Sequence, residues 1–180
     1  MKTNSSWICG GALALLSLSS GLAVETPNYK VDRSFGQTEL GGGAKCLAVD
    51  EKDQLYALLG GGKVQIFDPA GKATGSFKAE MTPAPGAMAL AGGKVYLLAT
   101  ETKPVEVESQ GRKITIAKPS GVKCGVFSPT GTKESEFALP VVVSANDAHF
   151  VGEQLAIADL QQAQIVLFAL NGDKPKVAKT

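Results

Sequence analysis

Histidine and cysteine, two residue types that are common in catalytic and metal centres, are scarce in this sequence. It contains one His and three Cys, and it has no CxxC pair, no HExxH, GxSxG or CxxCH motif and no Asp-rich calcium loop. Zinc protease, serine hydrolase, c-type haem and EF-hand chemistry therefore have no motif here. The runs Gly41–Gly43 and Gly60–Gly62 lack the Lys-Ser/Thr pair of a phosphate-binding loop. We expect both runs to be turns.

The chain also has no excess of charge of one sign. Lys2 is the only charged residue before Glu25, so the chain beyond residue 23 carries 17 basic and 17 acidic side chains. Proteins that bind a phosphate backbone or anionic lipid are normally basic. The balance therefore predicts no nucleic-acid partner and no electrostatic attraction to a membrane.

No apolar run reaches the roughly 20 residues that span a bilayer. The N-terminal segment instead has Lys2, a largely apolar stretch at Ile8–Leu18, and small residues at Gly21 and Ala23. This order is typical of a secretory signal peptide. An N-terminal membrane anchor is the alternative, which the shortness of the run disfavours. We predict a signal peptide over residues 1–23, export to the periplasm or the outside, and no stable membrane insertion.

Two cysteines remain beyond residue 23, Cys46 and Cys124. A disulfide between them is compatible with an exported protein. Each lies in a strand-like apolar run, where a free Cys often serves as a small core residue. We favour the free thiols and predict no metal at these positions.

A repeat organises the rest of the sequence. Phe67, Phe127 and Phe168 each end an apolar run and are each followed four residues later by Gly. They lie 60 and 41 residues apart. A period near 40 residues is typical of β-propeller blades.

Short strand candidates separated by turn residues complete each repeat. They predict an all-β fold, an incomplete β-propeller of four-stranded antiparallel blades over residues 24–180. The predicted blades span approximately 46–77, 86–137 and 141–180.

The middle blade is longer because residues 100–121 separate its second and third strands. Within them, Val105–Glu108 and Lys113–Ile116 alternate apolar and polar residues around Ser109-Gln110-Gly111-Arg112. This pattern predicts an inserted hairpin. In a meander it would overhang the end at which the innermost strands begin. It is either a contact surface for a partner or a tolerated insertion without a role.

Two parts of the chain resemble NHL repeats, the blades of six-bladed propellers of the TolB-like and lactonase-like groups. The resemblance is carried by Leu47-Ala48-Val49-Asp50, Leu55-Tyr56-Ala57 and Val64–Lys72, and again by Leu155–Asp159 with Ile165–Phe168. The Asn and Arg that often stand between the second and third strands of this family are replaced by Gly61, Lys63, Gln162 and Gln164. The resemblance therefore implies the fold more than a ligand.

Three blades do not close a ring, because propellers have 4 to 8 blades. Tyr29–Phe35 resembles an outermost strand that precedes the first blade. The chain is the front part of a longer propeller, half of a ring formed with a second copy, or an open arc. The sequence favours the first of these. Open blade edges make self-association one expected outcome.

The residues expected at the mouth of the central channel are Lys45, Asn146, Asp147 and His149. Lactonase-like relatives hold a divalent cation there, with oxygen ligands from several blades. Only Asn146 and Asp147 offer such ligands, so no cofactor is predicted.

We expect an exported, non-catalytic module that binds a protein, peptide or glycan. A lactonase-like hydrolase, whose remaining metal ligands lie outside this chain, is the alternative. Asp159 is expected to cap a turn.

Overall fold

Residues 34–41, 43–171 and 174–179 are described by a computed structural model. In these residues twelve strands form three four-stranded antiparallel sheets, and strands consecutive in sequence are neighbours. The expected fold class, an incomplete β-propeller of four-stranded blades, is confirmed. The predicted signal peptide lies outside the described residues. None of the described helices is long and apolar enough to span a bilayer.

Each sheet is a simple meander. The first sheet contains β1 (Ala44–Val49), β2 (Leu55–Leu59), β3 (Lys63–Phe67) and β4 (Ala73–Lys78). The second contains β5 (Ala87–Ala91), β6 (Lys94–Ser109), β7 (Arg112–Phe127) and β8 (Lys133–Leu139). The third contains β9 (Asp147–Val151), β10 (Gln154–Asp159), β11 (Gln164–Asn171) and β12 (Lys174–Lys179). The short helix α1 (Gln37–Leu40) precedes the first sheet.

The repeated Phe–Gly spacing comes from a tight turn between the third and fourth strands. Gly71 N donates to Asp68 O at 2.8 Å, and the Asp68 carboxylate accepts from Lys72 N at 2.8 Å. Gly131 N donates to Ser128 O in the same way, at 2.9 Å. Gly71 and Gly131 have φ values of +82° and +88°. A side chain is strained in this conformation, which explains the glycine.

Side chains alternate between the two faces of each sheet. We call the face that points toward the next sheet in chain order the forward face, and the opposite one the rear face. The forward face of the first sheet packs on the rear face of the second, through Cys46, Ala48, Tyr56, Leu58, Val64, Ile66 and Phe77 against Met88, Leu90, Val95, Leu97 and Phe127. The forward face of the second packs likewise on the rear face of the third, through Ala87, Ala89, Tyr96, Leu98, Cys124 and Phe137 against Ala148, Phe150, Leu155, Ile157, Val166 and Phe168.

The first strands of the three sheets lie side by side, since β5 contacts both β1 and β9. We call the end at which these three strands begin the mouth end, and the opposite end the floor end. Because strand direction alternates, the turns between second and third strands also lie at the mouth end. The floor end carries the turns that follow the first and third strands.

The predicted hairpin at residues 100–121 is not a separate element. β6 and β7 pair without interruption from Val95–Phe127 to Ser109–Arg112, with one irregularity between Glu101 and Thr102. Pro104 and Pro119 lie within this pairing, because a two-stranded ribbon has a free edge on each strand, and proline is tolerated there. The expected turn is confirmed at Gln110 and Gly111, which have φ values of +52° and +73°.

The expected strand Tyr29–Phe35 is only partly described. Residues 29–33 lie outside the described residues, and residues 34–36 are not in a strand. The Phe35 ring nevertheless packs edge-on against Phe67, with ring centroids 5.5 Å apart. With Leu40 it covers part of the rear face of the first sheet, where Ala57 is fully buried.

Candidate binding surfaces

The most buried ionisable group at the mouth end is Asp159, the last residue of β10, which has no exposed surface. One carboxylate oxygen accepts from the backbone N–H groups of Gln161 and Gln162, at 3.0 and 3.3 Å. The other accepts from Val143 N and from Gln162 Nε2, both at 2.9 Å. The predicted role as a turn cap is confirmed, and the second oxygen also anchors the loop before β9.

These contacts keep Asp159 ionised. Desolvation by burial works against the charge, but the hydrogen bonds from Gln162, Val143 and Ser144 outweigh it and lower the pKa of Asp159 below 3.8. A carboxylate that receives several N–H groups is held in its charged form. Asp159 is therefore a structural anion whose lone pairs are occupied by the protein itself.

Gln162 and Gln164 hold the same loop in place. Their side-chain amides donate to Val141 O, at 2.8 and 3.1 Å. Val141 has a φ value of +60°, which is strained for a β-branched residue. The two glutamines thus stabilise a strained backbone turn. The sequence contained no signal for this pairing, because 21 to 23 residues separate the partners.

The predicted channel-mouth residues Asn146 and Asp147 use their side chains locally. Asn146 Oδ1 accepts from Ser144 Oγ and from Leu160 N, both at 3.2 Å. One oxygen of Asp147 accepts from the N–H of the next residue, Ala148, at 2.9 Å. Both residues are exposed at the start of β9. Their contacts brace the loop and the strand end.

Lys45 and His149 are also exposed and lie on the first strands of different sheets. Lys45 sits in an irregularity of β1 between Ala44 and Cys46, and His149 pairs with Ala156 inside the third sheet. Among the residues that the structure describes, no group of three or more His, Cys, Asp and Glu is arranged to hold a metal ion. The four predicted residues thus share one end of the molecule without forming such a cluster.

Both cysteines of the described region are free thiols. Cys124 is fully buried, and desolvation raises its pKa to about 12. Cys46 is half-buried, with Sγ 3.6 Å from Met88 O. Desolvation raises the pKa of Cys46, the contact with Met88 opposes this, and the negative charge of Asp147 adds to the increase.

The outer part of β6 and β7, residues 102–119, extends beyond the second sheet, and we call it the ribbon. Val105 lies opposite Ile116, and Val107 lies opposite Ile114. Directly paired residues lie on the same face of a sheet, so these four β-branched side chains form one apolar face. Ile114 and Ile116 are 45% and 41% exposed. Val105 and Val107 are half-buried, so the β7 side of this apolar face is the part most open to solvent.

Toward the tip of the ribbon, the opposite face is polar. Glu106 pairs with Thr115, and Glu108 pairs with Lys113. All four side chains are exposed. Apolar and polar side chains therefore alternate along the ribbon, as in a strand pair that packs against another element on one face only. At about 3.3 Å per residue, the eight residues from Thr102 to Ser109 extend roughly 25 Å beyond the sheet.

A cleft of about 200 Å³ opens at the floor end between the first and second sheets. Tyr56, Leu90, Val95 and Pro129 contribute its apolar walls, and Asp50 lies at its rim. Desolvation, followed by the charge of Asp50 and a hydrogen bond to it, raises the pKa of Tyr56. Typical small-molecule sites measure about 300–1,000 Å³. This cleft is large enough for one side chain.

No protein-family model matches the sequence, and no curated protein matches it. Among solved structures, the chain is similar to one entitled "Crystal structure of RRP9 WD40 repeats", with a TM-score of 0.38 and 10% sequence identity. The similarity covers 74% of this chain and 50% of that chain. The chain thus spans half the length of that WD40 structure. The three sheets themselves establish a β-propeller architecture.

Proposed function

We propose that the protein is an exported, non-catalytic scaffold that binds an extended segment of a partner protein along the ribbon. The observation that carries this proposal is the apolar face of the ribbon, on which Ile114 and Ile116 are exposed beside the half-buried Val105 and Val107. An isolated two-stranded hairpin is at best marginally stable in water. A partner that covers this face would therefore stabilise the ribbon as it binds.

Both edges of the ribbon favour an extended ligand. Beyond Glu101, β6 and β7 pair with each other, while the pairing of β7 with β8 ends at Val122 and that of β5 with β6 ends at Leu98. In the described residues, the outer part of β6 and the outer part of β7 thus each have one row of backbone N–H and C=O groups without a neighbouring strand. A peptide strand can pair with such a row, and its apolar side chains then extend the apolar face.

The experiment uses a fluorescent decapeptide of alternating Val and Thr, flanked by Lys for solubility, and measures binding by anisotropy. The same peptide with alternate amides N-methylated cannot complete the ladder and serves as the ligand control. We expect Ile114→Asp to weaken binding of the unmodified peptide at least about tenfold, which corresponds to about 1.4 kcal/mol. Thr115→Asp, on the polar face of the same strand, should change it less than about twofold.

Deletion of residues 102–118 should leave near-UV circular dichroism unchanged and abolish binding. Binding that survives the deletion, or that is equal for the methylated peptide, would show that the ribbon is a tolerated insertion.

A further inference from the structure

Equivalent positions in the three sheets can be aligned through their pairing registers. Ala48 pairs with Tyr56, Ala89 with Tyr96, and His149 with Ala156. These pairs occupy the forward faces. The first two forward faces are each covered by the next sheet. The forward face of the third sheet has no such cover in the described residues.

The third forward face is apolar at its centre. It consists of Asp147, His149, Val151, Ala156, Ala158, Ile165 and Leu167. Val151 and Ile165 are 59% and 64% exposed, whereas Val64, the equivalent of Ile165, is fully buried. This face therefore has the position and the apolar composition of a blade-to-blade interface, but no described residue packs against it as the next blade would.

The rear face of the first sheet also exposes apolar side chains. Leu47 and Val49 are 57% and 59% exposed. Their equivalents in the second sheet are Met88, which is 1% exposed, and Leu90, which packs against the first sheet. Within the described residues, the innermost strand of the first sheet therefore has no neighbouring sheet on its rear face, unlike β5 and β9.

The outer part of that rear face is already filled. Phe35 contacts Phe67 at 5.5 Å just as Phe77 of the first sheet contacts Phe127 of the second at 6.0 Å. A Cβ at Gly71 would meet Phe35, as one at Gly131 would meet Phe77. Phe35 thus occupies the place of the aromatic residue that the fourth strand of a preceding sheet would supply.

The third sheet complements this arrangement. Its fourth strand, β12, has the sequence KPKVAK and supplies no aromatic residue, unlike β4 and β8. Ala156 and Ala158 replace Tyr56 and Leu58, which leaves room for the layer that Phe35 and Leu40 add. The shapes of the two open faces therefore compensate each other.

The charges of the two faces compensate as well. Asp147 is the equivalent of Cys46, whose Sγ lies beside the backbone of Met88 in the packed interface. Leu47 is the equivalent of Met88, so the same packing would place Asp147 beside Leu47. The neighbouring Lys45 then opposes the carboxylate with a positive charge.

We propose that two copies of the chain associate head to tail, with the third forward face of each on the first rear face of the other. In a six-bladed ring each blade turns the chain by about 60°, so three blades complete half a circle and two copies close the ring. Closure removes both open faces and encloses a channel lined by β1, β5 and β9 of each copy.

The test measures the mass of the protein by sedimentation, with Ile165→Asp for the forward face and Leu47→Asp for the rear face. We expect a dimer for the wild type, and a dissociation constant raised at least about thirtyfold for each variant. An equimolar mixture of the two variants should form pairs again, because it contains one intact interface. Reassociation on mixing also shows that both variants are folded.

Ile114→Asp on the ribbon is the control and should remain a dimer, which separates this proposal from the peptide-binding one. A monomeric wild type would overturn the proposal. Loss of the dimer in Ile165→Asp alone, without rescue on mixing, would show a symmetric contact between forward faces and overturn it too. Masses that keep growing with concentration would overturn the closed ring.

Discussion

Replacing Asp159 by Asn changes one atom of a fully buried side chain and removes its charge. Whichever way the new amide is oriented, its NH2 group faces two N–H donors. On one side these are Gln161 N and Gln162 N, and on the other Val143 N and Gln162 Nε2. In either case two N–H groups lose the carboxylate oxygen that accepted their hydrogen bonds. They face the NH2 group of the amide instead, which is itself a donor.

Hydrogen bonds to charged groups contribute about 1.5–3 kcal/mol each. Using the lower value, because Gln162 can turn its side chain toward solvent, we expect Asp159→Asn to lower the free energy of unfolding by about 3 kcal/mol. In a domain of this size that corresponds to a fall in Tm of roughly 6–12 °C. Thermal unfolding followed by circular dichroism, at equal protein concentrations, measures it.

The effect should depend on pH in one direction. Because the folded-state pKa of Asp159 lies below 3.8, its contribution is fully present above the unfolded-state value and is lost as the pH falls through the folded-state value. The difference between wild type and Asp159→Asn should be constant near neutral pH and shrink below about pH 4.

Asp68→Asn is the matched control. Asp68 accepts a single turn N–H, from Lys72, and an amide oxygen can do the same. We expect a change below about 0.5 kcal/mol. If Asp159→Asn is as mild as this control, or if its effect is unchanged at low pH, the reasoning about the buried anion is refuted.

Two further predictions concern the turns and the thiols. Gly131→Ala and Gly93→Ala both place a side chain at positive φ, but only at Gly131 does the new Cβ meet another side chain, that of Phe77. Urea unfolding should therefore show Gly131→Ala to be less stable than Gly93→Ala by about 1–3 kcal/mol, and equal stability would contradict the contact. For the thiols, a disulfide reagent at about pH 8 should react with Cys46 in the native protein and with Cys124 only after unfolding, because burial suppresses the Cys124 thiolate. Single Cys46→Ala and Cys124→Ala variants assign the two phases, and fast native labelling of Cys124 would be the contrary result.

The sheets could be predicted because their determinants are local. The spacing of Phe67 and Gly71 encodes a turn that recurs at Phe127 and Gly131, and Gln110-Gly111 encodes the tip of the ribbon. The continuity of β6 and β7 could not be predicted in this way. It depends on pairing across the ribbon, which compensates for the two prolines that locally disfavour a strand.

The candidate sites were less predictable because they depend on contacts between distant residues. Asp159 was expected to cap its own turn, but its bond to Val143 crosses 16 residues. Lys45, Asn146, Asp147 and His149 follow turns at the starts of first strands, and this pattern predicts their position but not their partners. The role of Phe35 emerges only when its contact with Phe67 is compared with that between Phe77 and Phe127.

The stacking of the three sheets has a consequence for how the molecule unfolds. Each sheet packs on its neighbours in chain order, so among the described residues both faces of the middle sheet are covered by another sheet, whereas another sheet covers only one face of each outer sheet. In such linear arrays, stability is approximately the sum of unit and nearest-neighbour contributions. In a single chain, outside the ring proposed above, local opening should therefore start from the first and third sheets, and backbone amides of the middle sheet should exchange with solvent most slowly.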